Sequence, residues 1–464
     1  MADKKTTITV NDLHAIPNAV PTLPAGYETQ TFSGVSIDSR TVNPGDLFFA
    51  VRGDNFDGHD FLQDVLRKGV NTVVVEKNRN IRDDKDFRTA AIVQVPDTRK
   101  ALGDLALIHR NKFDIPVIGI TGTCGKTSTK EMIAAVLEKK FKVLKTPGNY
   151  NNLIGLPLTL FTMTEDHTIA ILEMGASYPG EIAEQCEIVR PIHGIITNIG
   201  KGHLEFFKTL DEVFDTKSAL IRAVQSAGSG FINGDDTMLQ PLKQTHDNIL
   251  TFGTGAGNDV TGEDIVMNEN GCCSFSVGKE LDVTLQVPGR QNVLNALAAA
   301  AVGMFFTVES RDIQDALASY KGFSQRMQIT EWNGVTIIND AYNANPSSML
   351  GALDFLQEFP VAGRRFAALG DMLELGDISR SEHETIGEET GKRGVHRLIT
   401  VGNHSKYISE TANISGMTRA IHATDHEQAA KLLRRETAPG DVVLVKGSRG
   451  STMEKTIKLL TGEQ

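Results

Sequence analysis

The feature that most constrains the fold of this chain is a glycine-containing loop between an apolar run and a helical pattern. The run at residues 115–120 is typical of a buried strand, and the loop at residues 121–127 follows it with the sequence TGTCGKT. Apolar residues then recur from Met132 to Leu137 at the spacing of one helix face. Backbone N–H groups of such a loop and of the helix N-terminus can surround phosphate oxygens. The segment therefore predicts a βα unit that binds a nucleotide triphosphate, for which we expect ATP.

Two side chains of the loop suit phosphate and metal. Lys126 can neutralise phosphate charge, and the hydroxyl of Thr127 can bind magnesium. The general phosphate-loop pattern begins with glycine five positions before Gly125, whereas this chain has Ile120 there. An ordinary glycine turn is the alternative, and the succession of strand, loop and helix argues against it. We assign ATP binding to eight consecutive residues: Thr121, Gly122, Thr123, Cys124, Gly125, Lys126, Thr127 and Ser128.

Length and composition indicate an ordinary globular enzyme. A chain of 464 residues exceeds what one hydrophobic core supports, so we expect two to four domains and start from three. The formal net charge of -11 argues against a nucleic-acid partner, which normally needs a basic surface. Four cysteines are too few for a disulfide framework, and neither a signal peptide nor an apolar run of roughly 20 residues is present. We therefore expect a cytoplasmic monomer without membrane insertion.

The apolar runs predict an α/β protein of three domains. Residues 1–112 mix short apolar runs with turns and predict a small α/β domain. Residues 113–325 contain apolar runs that end in polar residues, as buried parallel strands do, and predict a doubly wound central domain. Alternating residues between about 250 and 290 indicate an antiparallel insertion. Residues 326–464 predict a second α/β domain.

Polar residues follow two of the predicted central strands. Glu173 follows the run at residues 169–172, where its carboxylate could bind magnesium or could be a solvated rim residue. His203 follows the run at residues 194–197, and Lys217 lies further along the chain. Because magnesium prefers oxygen ligands, the residue types alone favour a structural histidine.

Further polar clusters occur in the second half of the chain. Asn292 and Asn295 open an alanine-rich helical pattern, and Arg326 lies at the predicted domain boundary. The segments at residues 339–346 and 446–450 follow apolar runs. Turns explain these segments, although a glycine-rich loop with lysine and arginine also suits a carboxylate or phosphate.

These segments, in this order, resemble the Mur ligase family over nearly the whole chain. Within the family, the chain is most similar to the enzymes that join D-alanyl-D-alanine to UDP-N-acetylmuramoyl-tripeptide. Besides the phosphate loop, the resemblance rests on residues 36–40, 44–50, 148–152, 155–159, 173–175, 203–217, 292–295, 340–346, 369–376 and 445–449.

The resemblance implies three domains with separate tasks. The first would bind the UDP part of one substrate, the central one ATP, and a Rossmann-like third one the incoming dipeptide. The resemblance also implies two magnesium ions, one held by Thr127 and Glu173 and the other by His203 and Lys217. Lys217 would be carbamylated, which would supply the oxygen ligand that a histidine lacks.

Individual residues receive roles from the same resemblance. Asn295 would contact adenine with Asn292 beside it, Asp340 would contact ribose, and Arg326 would lie near the phosphates. Catalysis would depend on Lys126, Glu173, His203, Lys217 and Arg326. The substrates would be bound by Ser39, Arg40, Asn151, Asn152, Tyr342, Asn343, Asn345, Lys446, Ser448 and Arg449.

The implied reaction forms an amide bond. The terminal carboxylate of the tripeptide would attack the γ-phosphoryl group of ATP to give an acyl phosphate, from which the dipeptide amine would displace phosphate. The sequence does not identify the base that accepts the proton of this amine.

Three alternatives differ in how well they fit. A family member that adds the third amino acid shares the N-terminal segments, but this chain lacks an Asp-Asn-Pro-Arg segment of the kind that binds diaminopimelate there. Folylpolyglutamate synthases are more distant because they lack the UDP domain. A non-catalytic ATP-dependent switch has little need for Glu173, His203 and Lys217 together. Cys124 stands where the family commonly has asparagine, and its thiol near the nucleotide is open to modification.

Overall fold

The computed structural model describes residues 7–53, 55–79, 87, 89–244, 246–416 and 419–462. Within these residues the chain forms three successive α/β units, each built around its own main sheet, as the sequence predicts. No helix in these ranges is long and apolar enough to cross a membrane.

The first unit has a mixed sheet of five strands, in the order β2 (Val20–Thr22), β7 (Ala91–Val95), β6 (Thr72–Glu76), β5 (Asp46–Phe49) and β4 (Gly34–Ser36). Only β2 of this sheet runs antiparallel to its neighbour. β-Branched residues fill both faces of the buried strand that contains Val73 to Val75. The elements are β1 (Ile8–Thr9), α1 (Val10–His14), β2 (Val20–Thr22), β3 (Thr31–Phe32), β4 (Gly34–Ser36), β5 (Asp46–Phe49), α2 (Leu62–Arg67), β6 (Thr72–Glu76), β7 (Ala91–Val95) and α3 (Thr98–Arg110).

The second unit contains the predicted phosphate loop between its first strand and first helix. Its elements are β8 (Val117–Thr121), α4 (Lys126–Leu137), β9 (Val143–Lys145), α5 (Gly155–Leu160), β10 (Ile169–Glu173), α6 (Glu181–Val189), β11 (His193–Ile196), α7 (Leu204–Phe207), α8 (Leu210–Ala223), β12 (Gly230–Asn233), β13 (Ile249–Gly253), β14 (Val260–Thr261), β15 (Glu263–Met267), β16 (Cys272–Val277), β17 (Leu281–Pro288), α9 (Gln291–Phe305) and α10 (Ser310–Ser319).

The main sheet of this unit is parallel throughout, in the order β14-β13-β12-β11-β8-β10-β9. From β8 the chain crosses to the edge strand β9, returns through β10 beside β8, and then continues on the other side of β8 from β11 to β14. The direction of the connections thus changes at β8, and ligands of such sheets bind in the crevice at the carboxyl ends of the strands at this switch point. The predicted antiparallel insertion is formed by β15, β16 and β17. It begins later than expected, because β13 pairs parallel with β12 and extends the main sheet.

The third unit repeats the α/β arrangement with sheet order β18-β19-β23-β20-β21-β22, in which only the edge strand β18 is antiparallel. Its elements are β18 (Gln328–Trp332), β19 (Val335–Asp340), α11 (Pro346–Glu358), β20 (Arg365–Gly370), α12 (Ser379–Lys392), β21 (Arg397–Val401), α13 (Lys406–Ile414), β22 (Ala420–Ala423), α14 (His426–Glu436), β23 (Val442–Lys446) and α15 (Glu454–Thr461). Short 3₁₀ turns lie at Gly58–Phe61, Thr237–Gln244, Gly376–Ile378 and Arg449–Ser451.

Candidate active site

Glycine is required at two positions of the phosphate loop. Gly122 (φ +149°) and Gly125 (φ +82°) adopt backbone conformations that favour glycine. A Cβ atom on Gly122 would lie 1.9 Å from Thr197 Oγ1, so no larger residue fits beside β11. Asn198 ties the loop to the end of β11, since its Oδ1 accepts from Cys124 N at 2.9 Å and its Nδ2 donates to Cys124 O at 3.0 Å. The loop conformation therefore depends on the neighbouring strand.

Lys126 lies at the start of α4 with its ammonium folded over the loop. Its Nζ donates to Gly122 O at 2.8 Å and to Thr123 O at 3.2 Å. Burial lowers the pKa of Lys126, and the carboxylate of Glu173 opposes this shift. The ammonium thus lies where it can exchange carbonyl partners for phosphate oxygens. The remaining loop residues frame it, with Thr121 at the end of β8 and Ser128 in the first turn of α4.

Arg326 approaches the phosphate loop from the segment that leads into the third unit. Its Nη2 donates to Thr127 Oγ1 at 3.2 Å, and its Cζ lies 4.0 Å from the centroid of the Tyr342 ring. Tyr342 follows β19, and a planar guanidinium stacked on an aromatic face loses little freedom when it binds an anion. Arg326 of the third unit and Thr127 of the second, both predicted site residues, are therefore in direct contact.

Glu173 ends β10 and is paired in register with Ile120 of β8. The residue is 1% exposed, which rules out the solvated rim alternative. Asn151 Nδ2 donates to Glu173 Oε1 at 2.8 Å and orients the carboxylate. The buried Oε2 has no hydrogen-bond partner within the described part of the chain. A buried carboxylate oxygen in this condition suits a divalent cation.

Lys130 is a site residue that the sequence reasoning missed. It lies one helical turn after Lys126, is fully buried, and places its Nζ 3.8 Å from Glu173 Oε2. Its Nζ also donates to Thr146 O at 2.6 Å and lies 3.0 Å from Glu131 Oε1. A lysine at i+4 from Lys126, on the apolar face of α4, was the signal that could have revealed it. Lys130 ties the carboxylate of Glu173 to the helix that begins at the phosphate loop.

His203 and Lys217 lie at the start of α7 and within α8. His203 Nδ1 lies 2.6 Å from Oε2 of Glu374, a residue of the third unit that received no role from the sequence. Lys217 is 3% exposed, and burial together with the nearby Lys126 ammonium lowers the pKa of Lys217 to about 7. The described ranges contain no cluster of three or more His, Cys, Asp or Glu side chains that could hold a metal. A complete metal site would therefore need the hydroxyl of Thr127, substrate oxygens or a modified Lys217.

A cavity of about 90 Å³ lies between the phosphate loop and α9. Asn295 lines it and links two neighbours, because its Oδ1 accepts from Thr129 Oγ1 at 2.9 Å and its Nδ2 donates to Asn292 Oδ1 at 2.9 Å. Asn292 in turn donates to Pro288 O at 2.7 Å. Both predicted asparagines thus belong to one buried hydrogen-bond chain beside the loop. The cavity has further walls that sequence reasoning did not assign, formed by Phe252, Gln291 and Leu294.

Predicted residues of the third unit meet at the carboxyl ends of β19 and β23. Lys446 Nζ donates to Asp340 Oδ2 and to Asn343 O, and the lysine is 2% exposed. Its ammonium therefore holds the site together in this arrangement rather than facing solvent. Asp340 Oδ1 also accepts from Met327 N at 3.1 Å, yet a carboxylate retains further lone pairs for a ribose hydroxyl.

The neighbouring loops of this unit are equally well anchored. Ser448 Oγ donates to Ala344 O at 2.9 Å, and the exposed Arg449 donates to Gln325 Oε1 at 3.1 Å. Asn345 caps α11, and its side-chain amide lies 3.6 Å from Cys124 Sγ in the phosphate loop. This edge of the third sheet therefore faces the phosphate loop.

The remaining predicted substrate residues lie in the first two units. The exposed Arg40 donates to Asp38 at 2.9 and 2.7 Å and holds the pKa of that carboxyl at about 2. Lys68 Nζ donates to Ser39 O at 2.7 Å, which anchors the same turn. Asn152 Oδ1 accepts from Gly155 N at 2.8 Å at the start of α5. Ser39 and Arg40 therefore make these contacts inside the first unit.

The fold and this site define a phosphate-loop α/β protein in which the nucleotide-binding crevice of one unit is covered by the next. Family models match the chain in three parts: "Mur ligase family, catalytic domain" at residues 31–110, "Mur ligase middle domain" at 120–303, and "Mur ligase, glutamate ligase domain" at 325–449. The chain belongs to the Mur ligase family.

Individual relatives match over nearly the whole chain. The UDP-N-acetylmuramoyl-tripeptide--D-alanyl-D-alanine ligase of Bacillus subtilis (strain 168) is 34% identical, with 93% of this chain and 94% of that protein covered. A crystal structure of MurF from Acinetobacter baumannii matches with a TM-score of 0.88 at 29% identity, covering 98% of this chain and 99% of that one. MurF ligase from Thermotoga maritima, solved in complex with ADP, matches with a TM-score of 0.82 at 32% identity, covering 93% and 97%.

Proposed function

We propose that this chain joins D-alanyl-D-alanine to UDP-N-acetylmuramoyl-tripeptide in an ATP-dependent reaction that forms an amide bond. The products are the UDP-linked pentapeptide, ADP and inorganic phosphate. The observation that carries the proposal is the contact between Arg326 and Thr127, because it brings the third unit to the phosphate loop of the second. The name of the relative from Bacillus subtilis, which matches over 93% of this chain, supports the same substrates.

The reaction then follows from charge and position. The carboxylate at the end of the tripeptide attacks the γ-phosphoryl group, and ADP leaves. Lys126 and Arg326 face the oxygens on which negative charge accumulates, which lowers the barrier. The amine of the dipeptide attacks the resulting acyl phosphate, loses a proton and expels phosphate. Coverage of the crevice by the third unit keeps water from the acyl phosphate.

Magnesium fits the residues of the crevice. The buried Oε2 of Glu173 has no hydrogen-bond partner among the described residues, and the hydroxyl of Thr127 lies at the start of the neighbouring helix. Thr127 and Glu173 would hold one ion, and His203 with Lys217 a second. Magnesium would supply charge neutralisation on the phosphate oxygens.

Carbamylation of Lys217 belongs to the same proposal. A buried amine with a pKa of about 7 is about half uncharged at neutral pH, and the neutral form can attack carbon dioxide. The nitrogen lone pair forms an N–C bond, one proton is released, and the product is a carbamate anion. That anion would give the second magnesium an oxygen ligand beside the Lys126 ammonium.

Nucleotide and substrate roles complete the proposal. Asn295 and Asn292 would contact adenine, and Asp340 the ribose. The residues at the carboxyl edge of the third sheet would bind the dipeptide, and Ser39 with Arg40 would bind the UDP part. The monomeric state and the cytoplasmic location remain predictions from the sequence.

The deciding experiment measures phosphate release with ATP, magnesium and UDP-N-acetylmuramoyl-tripeptide, with and without D-alanyl-D-alanine. We expect release to require the dipeptide and a pentapeptide product of the corresponding mass. Parallel reactions with lysine and with diaminopimelate at the third position determine which tripeptide is used. Release that is independent of the dipeptide would contradict the proposal.

A further inference from the structure

Two lysines lie one helical turn apart at the start of α4, and their ammonium groups have different surroundings. Lys126 follows Gly125 in the phosphate loop and donates to two carbonyl groups of that loop. Lys130 is fully buried, and its Nζ donates to Thr146 O at 2.6 Å and to Gly148 O at 3.5 Å. Residues four positions apart project from the same face of a helix. The ammonium of Lys126 is thus available to phosphate oxygens, whereas that of Lys130 is held inside the protein.

The carboxylate of Glu173 lies near both lysines. Its Oε2 is 3.8 Å from Lys130 Nζ and has no hydrogen-bond partner among the described residues. Burial lowers the pKa of Lys126, and the charge of Glu173 opposes this shift. Glu173 itself is fixed, because its Oε1 accepts from Asn151 Nδ2 at 2.8 Å and its backbone N–H donates to Thr146 Oγ1 at 2.9 Å. A buried carboxylate needs a compensating positive charge, and either ammonium group could supply it.

The ion pairs around Lys130 continue towards the surface. Its Nζ lies 3.0 Å from Glu131 Oε1, and Glu131 Oε2 lies 2.9 Å from Lys145 Nζ. Burial opposes the charge of Glu131, yet its contacts with Lys145 and Lys130 hold the pKa of this carboxyl below its ordinary value. Because Lys145 also neutralises Glu131, the charge of Lys130 remains available to compensate Glu173.

We propose that Lys130 is a positioning residue for the phosphate loop and acts through Glu173. Lys130 neutralises this carboxylate from inside the protein, which leaves the ammonium of Lys126 free to bind the triphosphate of ATP. Without Lys130, the charge of Glu173 would attract Lys126 and would repel phosphate oxygens. One lysine therefore compensates a carboxylate of the protein and the other compensates the ligand. This inference rests on the proposed binding of ATP by Lys126.

Three substitutions in the full chain separate this role from simple packing. Lys130→Met keeps an unbranched side chain and removes its charge. Glu173→Gln removes the opposing charge and keeps the shape of the side chain. Lys145→Met is the matched control, because Lys145 belongs to the same group of ion pairs but pairs with Glu131 and Glu138 rather than with Glu173.

The test measures ATP binding by isothermal titration calorimetry in EDTA, at one salt concentration and without the other substrates. We expect Lys130→Met to weaken ATP binding about 10-fold, because the charge of Glu173 is no longer compensated beside the phosphate loop. Lys145→Met should change ATP affinity less than about 2-fold, since its ion pairs are partly exposed. In the Glu173→Gln background, Lys130→Met should have no effect, because no carboxylate remains to compete for Lys126.

Circular dichroism and urea unfolding check that each variant folds. If Lys130→Met alone does not fold, the double variant and Glu173→Gln can still be compared, and the two should bind ATP equally. A full loss of affinity in the Glu173→Gln background would show that Lys130 acts through packing. Wild-type affinity of Lys130→Met, or an equal loss in Lys145→Met, would also overturn the inference. These measurements use neither the tripeptide substrate nor the dipeptide, so they are separate from the dipeptide dependence that tests the proposed function.

Discussion

Arg326 Nη2 donates to Thr127 Oγ1 at 3.2 Å, and this bond joins the phosphate loop to the chain that enters the third unit. The guanidinium is stacked on Tyr342, so its direction is fixed before any ligand binds. A planar donor in this position can bridge two phosphate oxygens, which a lysine cannot do in the same way.

Replacement of Arg326 is therefore expected to reduce turnover strongly. Arg326→Ala should lower kcat by about 10²-fold or more, because one preorganised donor to the developing charge is lost. Arg326→Lys should recover little of this loss, since the stacked bidentate geometry is absent. The exposed Arg311→Ala is the control and should retain wild-type kcat in the dipeptide-dependent phosphate assay. Full activity of Arg326→Lys would show that only the charge matters.

Lys217→Ala should lower activity by about 10²-fold or more if its carbamate holds a metal. Bicarbonate should not restore activity, because alanine has no amine to modify. Acetate, which can supply a free carboxylate in the space left by the lysine, should restore part of it. Mass spectrometry of the wild type in ¹³C-bicarbonate provides a direct check after trapping. Wild-type turnover of Lys217→Ala would exclude the carbamate.

Alkylation should inactivate the protein selectively through Cys124. This residue is half-buried and its Sγ lies 3.6 Å from Asn345 of the third unit, so an added group would obstruct both the loop and the contact between units. Burial raises the pKa of the Cys186 thiol to about 12 and also raises the pKa values of Cys272 and Cys273, which makes these thiols unreactive.

Treatment with N-ethylmaleimide, followed by the phosphate assay and peptide mass spectrometry, checks this expectation. ATP should slow the inactivation, and Cys124→Ser should keep its activity after treatment. Loss of activity in treated Cys124→Ser at the wild-type rate would place the sensitive group elsewhere.

His109 should make the chain sensitive to acid. It is 1% exposed between the first two units, and burial lowers its pKa to about 4 from an ordinary value of 6.5. Between these two pH values the unfolded chain binds the proton more readily than the folded chain. Stability that is present above pH 6.5 is therefore lost as the pH falls towards 4, by about 3 kcal/mol for this residue.

Urea unfolding at pH 7 and pH 4.5 tests the contribution of His109. His109→Leu should show a smaller decrease in the unfolding midpoint than the wild type, because leucine cannot take up a proton. The exposed His14→Gln should behave as the wild type does. An equal decrease in all three proteins would assign the acid sensitivity to other groups.

Much of the central unit could be predicted because its candidate ligand-binding residues come directly after its strands in the sequence. A glycine loop after an apolar run and a carboxylate after another are local patterns, and parallel strands bring them to one edge. The burial of Lys130 could have been predicted in the same way, since the residue occupies the apolar face of α4. Phe252 was not, because nothing local distinguishes a phenylalanine of a cavity wall from one of the core.

The contacts between units could not be read from the sequence. Glu374 and His203 are far apart in the chain, and their meeting depends on how two separately folded units pack. Lys446 shows the opposite problem, because a lysine after a strand suggested a ligand contact while its ammonium is bound to Asp340. Burial decides such cases, and burial is a property of the packed structure.

Three backbone amides of the segment that opens α13 converge on the single carboxylate of Asp371. Asparagine would replace one of the two oxygens with a donor, and glutamate would move both by a methylene group. Position 371 therefore has no conservative substitute, although it contacts neither the phosphate loop nor the cavity beside it. A library that varies residues 372–376, which include the Glu374 that contacts the second unit, should therefore leave this aspartate unchanged, because its hydrogen bonds anchor the segment.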